Sequence, residues 1–164
     1  MDEKNLQQLV ADNMDNDQYE MDQVFDELGR RGAALFQGLS EQAADPYVTP
    51  APSPDETLMG VGDTFADFGK RMWRKYEPQL YDTLCNPRNP KHDELMDALQ
   101  EGVKSLAVAM VPTLMAQMAN LPAFVVLLAT LAGKQIAKSG LEAACEMWAE
   151  ARAEAAADDQ STPE

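Results

Sequence analysis

The stretch Ser105–Gly133 reads SLAVAMVPTLMAQMANLPAFVVLLATLAG, carries no charged residue and is bounded by Lys104 and Lys134. By length alone it exceeds the ~20 apolar residues that a membrane-spanning helix needs. Pro112, Gln117, Asn120 and Pro122 divide it. Each piece has about fifteen residues or fewer, too short at ~1.5 Å per residue to cross ~30 Å of hydrocarbon. The stretch is therefore expected to form a hairpin of two apolar helices. Ala123–Ala132 is apolar on every face, the mark of a central buried helix. Its β-branched pair Val125-Val126 sits among Leu and Ala, both helix formers. No other strand signal stands out and no repeat of 20 to 50 residues is visible, so the fold class expected is all-α.

Toward the C-terminus, Ser139-Gly140 is a candidate stop, and a last helix from Leu141 turns Leu141, Ala144, Cys145 and Trp148 inward. Residues 158–164 read as a disordered tail. Toward the N-terminus, Asn89-Pro90 is a start signal for a helix with Met96, Leu99, Val103, Leu106, Met110, Leu114 and Met118 inward, interrupted at Pro112. A second stripe, Phe65, Phe68, Met72, Tyr76 and Leu80 with Trp73 alongside, follows a cap at Asp63, and Pro78 is expected to kink or break it near Tyr76-Glu77. Met21, Phe25, Leu28, Gly32, Leu35 and Leu39, widened by Val24 and Phe36, form another buried face. Between these stripes, four prolines in residues 45–56 predict an extended strap. Residues 1–18 hold Asp2, Glu3, Asp12, Asp15 and Asp17 and read as a flexible acidic arm. The expected architecture is a single domain over residues 19–157: about five helices around a central apolar one, with mobile acidic termini.

The chain has 28 acidic and 13 basic residues among 164, a formal charge of -15. That balance argues against general binding to nucleic acid or anionic lipid. Cys85, His92 and Cys145 are too few for a structural zinc site, and Asp12, Asp15, Asp17, Glu20 and Asp22 match no register of a calcium loop. Gly60-Val61-Gly62 lacks the rest of a phosphate-binding loop. No metal and no cofactor are expected. With no signal-like N-terminus, two free thiols in a reducing cytoplasm are the expectation, with Cys145 a small buried hydrophobe. Cys85 and His92 flank one loop, but a thiol nucleophile needs an orienting third group that the sequence does not identify, so no enzymatic activity is expected.

Two charged patterns remain. Glu142, Glu146, Glu150 and Glu154 recur every fourth residue and place four like charges on one helix face, a spacing that is locally unfavourable and asks for compensation. Lys70, Arg71, Arg74 and Lys75 cluster in the segment KRMWRK, either as an intrachain partner for that row or as a contact for an anion. The function expected is that of a non-enzymatic, acidic helical interaction protein. Its glutamate row would dock a partner protein, as an adaptor, a small subunit, or an inhibitor that imitates nucleic acid. The rival from another class is a membrane-acting protein whose 105–133 hairpin inserts into a bilayer; self-association is compatible with either.

Overall fold

The computed structural model describes residues 2–48, 64–118 and 120–161. Every regular element among the described residues is helical, in the order α1 Glu3–Asp15, α2 Met21–Phe36, α3 Ser40–Ala44, α4 Phe65–Leu80, a π-helical turn Tyr81–Cys85, α5 His92–Glu101, α6 Val103–Gln117, α7 Pro122–Ser139 and α8 Leu141–Ser161. Much of the proline-rich strap, and the expected cap Asp63, lie outside the described residues.

α7 begins at Pro122, whose missing N–H is unneeded in a first turn, and ends at Gly140, which adopts φ 86°. All of Ala123–Gly133 is buried. It packs against α1, α2, α3, α6 and α8. The hairpin expected from Ser105–Gly133 is thus α6 against α7, with the turn between them ahead of Pro122. No helix among the described residues is long and apolar enough to cross a membrane.

Pro112 does not interrupt α6. A proline at that position leaves the carbonyl of Val108, four residues back, without its helical donor. The Gln7 side chain of α1 donates to that carbonyl at 3.4 Å. The break in the expected third helix falls instead at Gly102, whose φ of 137° is open to glycine and strained for other residues. Pro78 is likewise accommodated inside α4, which runs to Leu80 before loosening into the π-helical turn.

Residues 3–15 are not an arm. Asp2 caps α1 by accepting from the Lys4 N–H at 3.1 Å, and Leu6 and Val10 are fully buried, with Leu9 and Met14 against the same core. These four residues share one face of the helix, so composition understated what the helix can bury. Asn13 donates to Thr130 at 3.3 Å, and Lys104 pairs with Asp15 at 2.8 Å.

α2 and α4 meet at two glycines. A Cβ on Gly29 would overlap the Phe65 carbonyl, and a Cβ on Gly69 would overlap the Phe25 carbonyl. The contact is reciprocal because FDELGRR (25–31) and FADFGKR (65–71) place Phe, Gly and Arg at the same offsets. The cations follow the same rule: Arg30 lies over Phe65 at 4.6 Å and Lys70 over Phe25 at 5.8 Å. This close approach fixes the buried line of α4 as Phe65, Gly69, Trp73, Glu77 and Leu80. It lies one position off the expected stripe, leaving Phe68, Met72 and Tyr76 half-buried. α4 starts with a capping box in which the Thr64 side chain accepts from the Asp67 N–H and Asp67 accepts from the Thr64 N–H. Those bonds hold the Asp67 carboxyl below the usual aspartate range.

The α2 stripe is shorter than expected. Gly38 at φ 82° ends the helix, and the Leu39 N–H returns to the Ala34 carbonyl at 2.9 Å. Phe36, expected inside, is 84% exposed. Arg31 of the same helix is fully buried and ties down the chain beyond it, donating to the carbonyls of Asp45 at 2.8 Å, Val48 at 2.9 Å and Ala43 at 3.4 Å. Glu27 pairs with it at 3.3 Å. Burial first, then the negative charge of Glu27, push the Tyr19 phenol well above its ordinary range.

Candidate docking face of α8

Helix α8 has two unlike sides. Ala144 and Trp148 are buried one turn apart and hold the helix to the core. Burying a large aromatic side chain contributes about 2–3 kcal/mol, so Trp148 is the anchor. Its indole Nε1 is enclosed without a hydrogen-bond partner. Glu142, Glu146, Glu150 and Glu154 lie on the opposite side, all exposed, while Met147 flanks this row and accepts from the Gln135 side chain of α7 at 3.7 Å.

A covalent clamp supplements the anchor. Cys145 is bonded to Cys85, the last residue of the π-helical turn, across a sequence separation of 60 residues. The structure thus corrects the expectation of two free thiols and of Cys145 as a lone hydrophobe. It also removes the Cys85–His92 pair, because a sulfur in a disulfide is no nucleophilic thiolate. Spacing gave no hint of this pairing, which depends on α8 folding back over the turn. Close by, Arg152 pairs with Asp82 at 3.4 Å and lies 5.3 Å over the Tyr81 ring.

The KRMWRK segment lies on α4, which packs beside α8. Lys70, Arg71, Arg74 and Lys75 are exposed, whereas Trp73 is buried edge-on to Phe25 at 6.4 Å and is no platform for a base. The expected compensation is not a zipper: among the described residues no ion pair joins this cluster to the glutamate row. Lys70 pairs with Asp22 at 3.9 Å, and Arg71 sits 5.8 Å from the Phe68 ring centroid. Acidic and basic groups of α4 and α8 approach each other at Glu77. Burial raises its carboxyl, Arg74 opposes that rise and Glu154 adds to it.

Phe36, Phe68, Arg71, Met72, Lys75 and Tyr76 line an open groove of about 290 Å³. Phe36 stands edge-on to Phe68 at 6.2 Å. A second recess, between α4, α6 and α7, has an apolar lining of Leu80, Met110 and Leu128 and encloses about 10 Å³, room for one water. Among the described residues no three His, Cys, Asp or Glu side chains gather as a metal site.

No family model, curated protein or solved structure matches the chain.

Proposed function

We propose that the chain is a non-enzymatic interaction protein that docks a basic partner protein on the outer side of α8, as an adaptor, small subunit or inhibitor. The observation that carries this reading is the division of α8: Trp148 and the Cys85–Cys145 bond fix one side, while four exposed carboxylates in register remain on the other. Four like charges one turn apart cost a few tenths of a kcal/mol per pair in the free helix. A partner cation between them would remove that cost and steer the encounter. The framework behind the face is a bundle arranged about α7. The rival, insertion of residues 105–133 into a bilayer, would have to withdraw Phe124, Leu127, Leu128 and Leu131 from the core.

Fractionation of the natively expressed protein separates the two readings. The expected result is a pool free of membrane, eluting with a partner in a complex of defined mass that high salt disperses. Recovery in the membrane pool, resistant to high salt, would overturn the docking reading in favour of the rival.

A further inference from the structure

Apart from its disulfide, α8 is held lightly. Among its described side chains only Ala144 and Trp148 are buried, with Leu141 half-buried, whereas α7 buries every residue from Ala123 to Gly133. The Trp148 ring gains from burial, but its Nε1 is enclosed without a hydrogen-bond partner, and an unsatisfied donor takes back part of that gain. Water would satisfy the same N–H once the helix left. The Arg152–Asp82 pair joins two half-exposed side chains, so solvent screens it. We infer that the Cys85–Cys145 bond is a thiol-operated latch: its reduction lets α8 swing away from the π-helical turn while the other helices stay folded, and its re-formation closes α8 again.

The surroundings of the bond suit a reversible latch. Cys85 and Cys145 are both partly exposed, and exposed disulfides are the ones that exchange readily. The thiolate of a dithiol attacks one sulfur, and its second thiol then completes the exchange. The Cys85–Cys145 bond breaks, the dithiol becomes a disulfide, and two electrons and two protons pass to the protein as two thiols. α8 starts directly after Gly140, at φ 86°, where a Cβ would meet nothing within 4 Å, so a hinge at this glycine has room to turn. α7 packs against α1, α2, α3 and α6 as well as α8, so the core keeps its other walls when α8 leaves. Closed, α8 presents its glutamate side alone. Open, it also presents Trp148 and uncovers the sides of α4, α7 and the π-helical turn on which it packed. The latch concerns what holds α8 and is independent of what α8 docks.

The test follows amide exchange and the Trp148 indole proton by NMR in the whole chain, oxidised, then reduced with dithiothreitol, then reoxidised. The chain has two cysteines, so the dithiol acts on this bond alone. Reduction is expected to speed exchange in α8 and at the indole together, by about a hundredfold, while α7 changes less than about threefold. Reoxidation should restore the first pattern. Asp82→Asn removes the ion pair and keeps the bond, so its oxidised form should protect α8 as wild type does. Unchanged exchange in α8 on reduction, equal acceleration in α7, protection that does not return on reoxidation, or an oxidised Asp82→Asn with α8 already open would each overturn the latch.

Discussion

Gly29 and Gly69 face each other across the crossing of α2 and α4 so closely that a Cβ on either would strike the backbone of the opposite helix. In an exposed helix a glycine-to-alanine change stabilises by about 1 kcal/mol. Here the sign is expected to reverse: Gly29→Ala or Gly69→Ala should cost about 2 kcal/mol or more, as overpacking does. Thermal unfolding monitored by circular dichroism checks it, and a raised Tm would contradict the close crossing.

Arg31 is the internal tether of residues 43–48, holding three carbonyls and Glu27 from a fully buried position. Arg31→Met removes these donors and leaves Glu27 without its partner, an expected loss of about 3 kcal/mol. Amide exchange at Ala43–Val48 should accelerate more than in α7. Uniform acceleration throughout the chain would show that the tether is not local.

Reduction of Cys85–Cys145, or Cys145→Ser, frees a loop closed across 60 residues. The expected loss is about 2–4 kcal/mol. Because α8 is otherwise anchored by Ala144 and Trp148, its amides should lose protection first and the indole emission should shift to the red. Unchanged protection of α8 under a dithiol would show that burial alone holds it.

Glu77 gives a pH dependence with a definite sign. Its carboxyl is raised in the folded chain, by burial first, against an ordinary value of 4.5. The folded state therefore binds the proton more tightly than the unfolded one, and stability falls as pH rises from the ordinary value through the folded one. Glu77→Gln should stabilise the protein at pH 7 and flatten that slope in urea titrations from pH 4 to 8. A variant less stable than wild type at pH 7 would mean that Arg74 outweighs the burial.

Much of this fold is legible in local sequence. Pro122 and Gly140 announce the ends of α7, and the apolar run between them announces its burial. Other features depend on partners that spacing does not reveal. Pro112 reads as a break until Gln7 supplies the donor to Val108, and Leu6 and Val10 read as too little for a core until α6 and α7 receive them. The one-position shift of α4 follows from Gly69, a residue that counts of apolar spacing pass over. The matching Phe-Gly-Arg offsets at 25–31 and 65–71 are visible in the sequence, but seven residues are too short to register as a repeat. Of the candidate site, the glutamate row was legible by its spacing, whereas the disulfide clamp and the exposure of Phe36 arise only when α8 folds back and α2 stops at Gly38.

The docking role of α8 is tested most directly by capture from lysate at low salt, comparing wild type with Glu142→Gln, Glu146→Gln and Glu150→Gln combined. These side chains are exposed, so the variant should fold as wild type does. The expected result is that a partner held by wild type is lost from the variant and from wild type at high salt. Capture of the same partner by both proteins at equal yield would contradict the assignment of α8 as the docking face.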